Sequence, residues 1–437
     1  MTHEVHRTKT GQASALALAF CASLAMPVSA QSSGFGCEGL YESDALPSVE
    51  GDGGMFYRID PDLMMAQGLT EGNVAQIAAL SRALAARGTT LVYLPMPTKA
   101  LGQPWQLPPM ARYLGYDVDV ATTVYDQSLK ALSEGGIVTL DARATLARAG
   151  LAQPSYFGAD PRLSSHGAAA LSEALAEVIA GVADYPAADF TIREAGPEPL
   201  FSTMRLDLQE SCSASLPIPT APRIVTDAGQ MPGALQDGDL ARIALIGTEM
   251  SGAPATGLAQ RLQAATGLTV AQYTVPEGGP FAAMSSYLTS DAFRAARPDL
   301  LIWEHPIRDN LADGGDQPMR ELIAAAGPEC TDALPVFASP DGRALRADLS
   351  ALAGRDISLR FDSDSTDTQS VRFVFLNERG HRRIRQIHRH EDAWLTGRFF
   401  VPMSGLWPVG LSSVEILPEG DVGREARLFA CPEPEVK

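Results

Sequence analysis

The chain has little basic charge, no closely spaced cysteine pair, and no long apolar run beyond its first thirty residues. It carries 34 Lys and Arg against 52 Asp and Glu, a formal net charge of −18. This acidity argues against a nucleic acid partner and against docking on anionic lipid. Beyond residue 30 no segment is long and apolar enough to cross a bilayer, so we expect no transmembrane segment in the mature chain.

The sequence also lacks the signatures of a metal or cofactor site. None of its cysteines has the C-x-x-C spacing that is typical of zinc sites, so the sequence does not indicate one. The run Gly278-Gly279-Pro280 has neither the lysine nor the following Ser/Thr of a phosphate-binding loop. We therefore expect no metal and no cofactor.

Residues 1–30 have the composition of an export signal. Arg7 and Lys9 precede an apolar stretch at 13–26, and Val28-Ser29-Ala30 forms a small-residue cleavage site. The mature chain is expected to begin near Gln31 and to reside in the periplasm or outside the cell.

An exported protein can form disulfides, and four cysteines follow the signal. They are Cys37, Cys212, Cys330 and Cys431, which allow three pairings. Near residue 325 the composition changes from Ala/Leu-rich helices to short alternating strands. This change predicts two domains, 31–325 and 326–437, and favours Cys37 with Cys212 and Cys330 with Cys431.

The first domain alternates predicted strands with predicted helices. The strands are expected at 91–94, 137–140, 243–246, 268–273 and 300–303, and the helices at 73–87, 125–133, 167–179 and 258–265. This order is typical of an α/β fold with a doubly wound, mostly parallel sheet. The proline-rich segment 184–240 is predicted to be a long connection with little regular structure.

The second domain is predicted to be a small all-β sandwich. Short β-rich or alternating segments recur at 357–361, 371–375, 398–401 and 414–417. Strands of this length and spacing favour two packed antiparallel sheets.

One turn in the first domain suits a reactive group. The apolar strand at 243–246 is followed by Gly247-Thr248-Glu249-Met250-Ser251 and then by the start of a helix. Backbone N–H groups at such a helix start point towards an oxyanion or a hydroxyl, as in α/β hydrolases. The third position of the turn, however, is Glu249.

Several stretches of the chain resemble those of one enzyme family. They are Leu91-Val92-Tyr93-Leu94-Pro95 with Lys99, Tyr156-Phe157-Gly158-Ala159-Asp160, Gly167-Ala168, Gly247-Thr248, Gly278-Gly279-Pro280-Phe281 and Leu301-Ile302-Trp303-Glu304. In these the chain is similar to the periplasmic alginate O-acetyltransferases. The resemblance implies an SGNH hydrolase-like domain followed by a carbohydrate-binding β-sandwich, with one disulfide in each.

The resemblance also implies where a Ser-His-Asp triad would lie, and two of its positions are replaced. The family has Asp-x-His where this chain has Asp160-Pro161-Arg162, and Gly-(Thr/Asp)-Ser where it has Gly247-Thr248-Glu249. An arginine stays protonated and cannot act as a general base, and glutamate lacks the nucleophilic hydroxyl. We expect a degenerate triad in which Arg162 bridges Asp160 and Glu249 and closes the site.

Two alternatives keep a catalytic role for the site. Ser251 with His166 could form a displaced nucleophile and base of an active O-acetyltransferase or esterase, although a helix-capping serine and a histidine at a helix start explain both residues. Asp160 and Glu249 could instead be the paired carboxylates of a glycoside hydrolase. His305, which ends a predicted strand, is a minor candidate.

The second domain contains a basic stretch that stands out in so acidic a chain. Residues 379–398 include six arginines and three histidines. The polysaccharide-binding candidates are Arg383, Arg385, Arg389, His388 and Trp394, with Trp407 as a second ring that could stack on a sugar. Strand alternation places the three arginines on one face and His388 on the other. A solvated hairpin that balances the acidic first domain is the alternative.

Together these patterns predict an exported protein of exopolysaccharide (alginate-like) biosynthesis or modification. We expect it to act by binding an anionic, polyuronate-like polysaccharide, or a partner among the export and acetylation proteins. Residual acyl transfer and a purely structural adaptor are the alternatives.

Overall fold

The computed structural model describes residues 33–65, 68–182, 184–228, 242–253, 256–407, 409–420 and 422–434. The predicted export signal at 1–30 lies outside the described residues. Across these ranges, no helix combines the length and the apolar character that a membrane span requires.

The first region of the chain mixes strands and helices. Its strands are β1 Ser48–Gly51, β2 Met55–Arg58, β3 Thr90–Met96, β4 Val138–Thr139, β5 Phe190–Pro199, β6 Thr220–Ala228, β7 Arg242–Gly247, β8 Thr269–Thr274 and β9 Leu300–Pro306. Its helices are α1 Ile59–Asp62, α2 Glu71–Ala85, α3 Lys99–Gly102, α4 Met110–Tyr113, α5 Val118–Glu134, α6 Ala142–Ala149, α7 Ser165–Val182, α8 Thr203–Gln209, α9 Glu249–Gly252, α10 Leu258–Thr266, α11 Ala282–Leu288, α12 Asp291–Ala295 and α13 Gln317–Ala326.

A five-stranded parallel sheet forms the centre of this region, in the order β4-β3-β9-β7-β8. The middle strands β3, β9 and β7 are almost continuously apolar and buried. Strands of a parallel sheet are apolar along almost their whole length when helices cover both faces of the sheet. The predicted doubly wound, SGNH hydrolase-like architecture is confirmed.

Alternation along the middle strands divides the core into two halves. Tyr93 and Trp303 pack with α2, α11 and α13 on one face. Val92 and Ile302 pack with α6, α7 and α10 on the other face. Because successive side chains of a strand point to opposite faces, one apolar run supplies both halves.

The start of α2 shows why the helix begins earlier than predicted. Thr70 accepts a hydrogen bond from the Asn73 backbone N–H, and the Asn73 side chain accepts one from the Thr70 N–H. This reciprocal pair satisfies N–H groups that a helix start would otherwise leave without partners. The apolar periodicity detects only the later turns.

The predicted unstructured connection at 184–240 is wrong for its described part. Strands β5 and β6 form an antiparallel ribbon, and α8 lies between them in sequence. The ribbon tolerates Pro197, Pro199 and Pro222 because a two-stranded sheet leaves one edge of each strand unpaired. Residues 229–240 of this segment lie outside the described residues.

The second region is a two-sheet sandwich, as predicted. Its strands are β10 Asp332–Leu334, β11 Phe337–Ala338, β12 Leu345–Asp348, β13 Ile357–Asp362, β14 Ser370–Asn377, β15 Arg382–His388, β16 Arg398–Pro402, β17 Leu411–Pro418 and β18 Arg427–Pro432. The sheets have the orders β10-β18-β13-β16 and β11-β12-β17-β14-β15. Phe361, Phe373, Phe375 and Phe399 lie fully buried between them.

Both predicted disulfides are confirmed. Cys37 bonds to Cys212 and ties the segment after α8 to the start of the described chain. Cys330 bonds to Cys431 and joins the two ends of the sandwich. Each bridge closes a loop of more than one hundred residues, which restricts the unfolded chain.

A buried ion pair is one of the contacts that join the two regions. Arg389, just after β15, donates from Nη1 and Nη2 to the two carboxylate oxygens of Glu321 in α13, each at 2.7 Å. The side chains are 5% and 3% exposed. Glu321 also accepts from the Phe400 backbone N–H at 3.1 Å, and Arg389 donates to the Arg398 carbonyl at 3.0 Å. The proposal of Arg389 as a polysaccharide ligand is therefore corrected, because its guanidinium is buried and fully engaged.

Arg389→Ala should lower the free energy of unfolding by about 3–5 kcal/mol, because it leaves the Glu321 carboxylate buried without its counter-ion. The matched control is Arg193→Ala, whose ion pair with Asp227 is 61% and 55% exposed. That substitution should lower the free energy of unfolding by about 0–1 kcal/mol. Urea unfolding followed by circular dichroism gives both values, and equal costs would contradict a structural role for Arg389.

Candidate functional site

The candidate site lies beyond the carboxyl ends of β3, β7 and β9. In parallel sheets the loops at this end gather functional side chains. Here the loop that carries Asp160 and Arg162 meets the turn at Glu249 and the segment after β9 that carries Arg308.

A buried carboxyl group fixes the backbone of the turn at 247–251. Glu304 accepts hydrogen bonds from the Thr248 backbone N–H at 2.7 Å, from Ser251 Oγ at 2.9 Å and from Thr248 Oγ1 at 3.1 Å. Burial raises the pKa of Glu304 to about 7. Position 247 must be glycine because a Cβ there would overlap the Glu304 carboxylate. The turn thus links β7 to α9 in the way that a nucleophile elbow links a strand to a helix, and Glu304 fixes its conformation.

A buried lysine fixes the loop that carries Asp160. The Lys99 ammonium donates to the carbonyl oxygens of Phe157 at 2.7 Å, Gly158 at 2.7 Å and Asp160 at 3.1 Å. Burial lowers the pKa of Lys99 to about 7, against the opposing pull of Asp62 and Asp160. Three acceptors match the three donors of an ammonium group, so the charged form completes this cradle.

Arg162, at the expected base position, forms a close ion pair with Asp160. Its backbone N–H and Nε donate to Asp160 Oδ1 at 2.9 and 2.8 Å, and its Nη2 donates to Oδ2 at 2.6 Å. Nη2 also donates to the Phe201 carbonyl at 2.6 Å. The hydrogen bond to Asp160 raises the pKa of Arg162 further above its ordinary value. The aspartate that would orient a histidine instead holds a permanent cation.

Glu249, at the expected nucleophile position, pairs with a different arginine. Its carboxylate accepts from Arg308 Nη2 at 2.8 Å and from the Glu277 backbone N–H at 3.0 Å. Burial pushes the pKa of Glu249 upward, but the charge of Arg308 and the hydrogen bonds outweigh it, so the pKa is lowered. Glu277 itself has φ 55°, a left-handed conformation that glutamate rarely adopts.

The predicted direct bridge from Arg162 to Glu249 is therefore corrected. Arg162 pairs with Asp160 and Glu249 pairs with Arg308. No ion pair within 4.0 Å joins Arg162 to Glu249, although the Glu249 charge contributes to the raised pKa of Arg162. Sequence reasoning missed Arg308, whose signal was its place two residues after the end of β9, at the same edge of the sheet.

A small cavity lies beside these pairs. It has a volume of about 10 Å³ and is lined by Arg58, Asp62, Met96, Pro97, Thr98, Lys99, Pro161, Met250, Pro306 and Arg308. Such a volume holds about one water molecule.

The structure does not bring Ser251 and His166 together by any hydrogen bond. Ser251 is 1% exposed and donates to Glu304, and its carbonyl accepts from Gln272 Nε2 at 2.6 Å. The His166 ring instead contacts the Ala149 carbonyl at 3.1 Å and lines a groove between α6 and α7. The serine hydroxyl thus faces a carboxyl group rather than a histidine.

The remaining catalytic candidates are also engaged. Asp160 and Glu249 each pair with a guanidinium, at 2.6 and 2.8 Å, an arrangement unlike the two free carboxyl groups of a glycoside hydrolase. His305 is 1% exposed, with Nδ1 2.6 Å from Tyr93 Oη and Nε2 2.7 Å from the Asp309 carbonyl. Burial lowers the pKa of His305 to about 4, as expected for a neutral histidine of the core.

A second candidate surface is an arginine cluster at the boundary between the regions. Arg383 of β15 donates to the Gly405 carbonyl, beside Ser404, which Arg320 of α13 contacts. Burial, together with the charges of Arg320 and Arg383, lowers the pKa of Arg385 in the same strand. Arg383 stacks 4.8 Å from the centre of the Trp407 ring, and Arg320 contacts Ser404 Oγ at 2.7 Å. Within the described ranges, none of the three arginines has a carboxylate within 4.0 Å.

The other binding candidates lie apart from this cluster. Trp394 is 45% exposed and packs edge-on against Tyr273 at 5.9 Å. His388 is exposed on the opposite face of β15, in register with Ser370 of β14. In the described part of the chain, no group of three or more His, Cys, Asp or Glu side chains could hold a metal.

Comparison with known proteins agrees with this architecture. The chain is 28% identical to an alginate biosynthesis protein AlgX of Azotobacter vinelandii over 279 residues, 63% of this chain and 57% of that protein. It is 28% identical to a probable alginate O-acetylase AlgJ of Pseudomonas putida over 256 residues, 56% of this chain and 64% of that protein. The chain therefore spans less than two thirds of either relative.

A solved structure of Pseudomonas aeruginosa AlgX superimposes with a TM-score of 0.73 at 21% identity, covering 88% of this chain and 94% of that one. At this identity the likeness establishes the fold. A family model described as "SGNH hydrolase-like domain, acetyltransferase AlgX" matches residues 49–307. Because this match covers more than half of the sequence, the chain belongs to the AlgX family of SGNH hydrolase-like domains.

Proposed function

We propose that the protein is an exported component of alginate-type polysaccharide biosynthesis that binds the anionic polymer and no longer transfers acetyl groups. The relatives are named for alginate biosynthesis and for alginate O-acetylation. Alginate is a polyuronate, so its carboxylates suit guanidinium ligands. The sequence signal at 1–30 and the two disulfides support a periplasmic or secreted location.

The observation that carries the loss of catalysis is the separate neutralisation of the two replaced positions. Arg162 is held by Asp160, and Glu249 is held by Arg308. A nucleophile and a base need a free hydroxyl and a group that can exchange a proton near neutral pH. Neither Arg162 nor Glu249 supplies such a group, since each is neutralised by its own partner.

The arginine cluster supports a binding role. Arg320, Arg383 and Arg385 come from two regions of the chain that several contacts join, among them the buried Arg389–Glu321 pair and the Arg398–Asp291 pair. Holding several guanidinium groups together without nearby carboxylates costs electrostatic energy that an anionic ligand would offset. The Trp407 ring beside Arg383 adds an apolar surface on which a sugar ring could stack.

A partner among the export or acetylation proteins remains a second proposal for the same surface. Acyl transfer by Ser251 and His166 is the less favoured function, because the Ser251 hydroxyl is buried and donates to Glu304.

The wild-type protein should release no acetate from p-nitrophenyl acetate above the rate of its Ser251→Ala variant. The double variant Arg162→His/Glu249→Ser should exceed both, on the order of a hundredfold, since a positioned base contributes at least that much. A melting curve checks that each variant is folded. Wild-type turnover that disappears in Ser251→Ala would contradict the proposal and support the active enzyme.

Arg383→Ala/Arg385→Ala should weaken binding to polymannuronate on the order of tenfold or more, because each substitution removes a charge-assisted contact. Added salt should weaken wild-type binding in the same direction. The matched control is Arg427→Ala, which removes an exposed arginine already paired with Glu425. Isothermal titration calorimetry gives the affinities. An equal loss of affinity in Arg383→Ala/Arg385→Ala and in Arg427→Ala would contradict the cluster as the binding surface.

A further inference from the structure

The outer face of the five-stranded sheet in the sandwich carries a groove that lies apart from the arginine cluster. It has a volume of about 630 Å³, and its lining includes Arg343, Arg372, Gln386, His388, Leu417 and Glu419. A groove of this size can accommodate a ligand larger than a simple ion.

The two surfaces are on opposite faces because of the strand register. Arg372 of β14 pairs with Gln386 of β15, whereas Arg385 pairs with Phe373, whose ring is buried between the sheets. Successive residues of a strand alternate between faces. Arg372 and Gln386 therefore point outward, away from the side that holds Arg385.

The chemistry of the groove matches that of a carboxylated sugar chain. Arg343 and Arg372 are both exposed, and within the described ranges neither guanidinium has a carboxylate within 4.0 Å. His388 and Gln386 add further hydrogen-bonding groups, and Glu419 is the acidic residue of the lining.

Two further features bear on the charge and shape of this groove. The nearby Asp341 carboxylate is occupied by Ser339 Oγ and the Arg343 backbone N–H, and the Arg343 charge contributes to its lowered pKa. Leu417, in register with Arg372, adds an apolar side chain to the same face. Basic and apolar groups side by side suit the carboxylates and the ring faces of a uronate chain.

We propose that this outer groove is a second polyuronate-binding site, so that one molecule holds two polymer segments on opposite faces of β15. The inference rests on the proposed function, since it assumes the same class of ligand. It adds a location, the residues Arg343 and Arg372, and a stoichiometry. A protein with two such sites could connect neighbouring polymer chains.

The test is isothermal titration with a short oligomannuronate, using the full exported chain. The wild-type protein should bind two oligomers. Arg343→Ala/Arg372→Ala should retain one site, with the other weakened on the order of tenfold or more, and Arg383→Ala/Arg385→Ala should likewise retain one. Arg427→Ala is the control that should retain two.

The outcomes separate this inference from the proposed function. A single wild-type site that is lost only in Arg383→Ala/Arg385→Ala overturns the outer groove and leaves the proposed function intact. A single wild-type site that is lost only in Arg343→Ala/Arg372→Ala supports the outer groove and rules out the arginine cluster as a binding site. Absence of any binding by folded wild-type protein overturns both.

Discussion

The need of a buried charge for a counter-ion governs the candidate site. A charge taken out of water is strongly destabilising unless a partner of opposite sign is in contact with it. Arg162 satisfies this need with Asp160, which the SGNH-like fold already places beside it. Glu249 satisfies it with Arg308, which lies after the neighbouring strand. Arg162 and Glu249 therefore each have their own counter-ion, and the two side chains need not be in contact.

The backbone of the site is held by groups that need not take part in chemistry. Glu304 fixes the turn through Thr248 and Ser251, and Lys99 fixes the Asp160 loop through three carbonyl oxygens. These contacts fix the conformation of both loops whatever side chains stand at positions 162 and 249. Family motifs that contain Lys99 and Glu304 consequently report the fold, and a sequence that retains them says little about catalysis.

Sequence patterns predicted what depends on periodicity and on local chemistry. The parallel sheet, the sandwich and both disulfides follow from apolar runs, strand alternation and a change in composition. The pairing of Asp160 with Arg162 follows from two residues of one short loop. By contrast, the ribbon of β5 and β6 was hidden by prolines, which a free strand edge accepts. Arg308 was missed because its partner lies on another loop, and adjacency between loops is a property of the folded sheet.

The basic stretch of the second region also shows what sequence patterns cannot predict, and how the folded structure distinguishes its arginines. In sequence, Arg383, Arg385 and Arg389 are equivalent members of one face of a strand. In the fold, Arg389 reaches a buried carboxylate and joins the two regions, whereas Arg383 and Arg385 reach none among the described residues. A buried arginine paired with a carboxylate has its counter-ion already. Arg383 and Arg385 donate instead to the Gly405 and Ile384 carbonyls, which leaves their charges without a counter-ion among the described residues. Arg320 of α13 reaches the same surface, where it donates to Ser404 Oγ while Arg383 stacks on the Trp407 ring. Arginines of one strand therefore differ in role, because Arg389 is committed to a buried contact between the two regions and Arg383 is not.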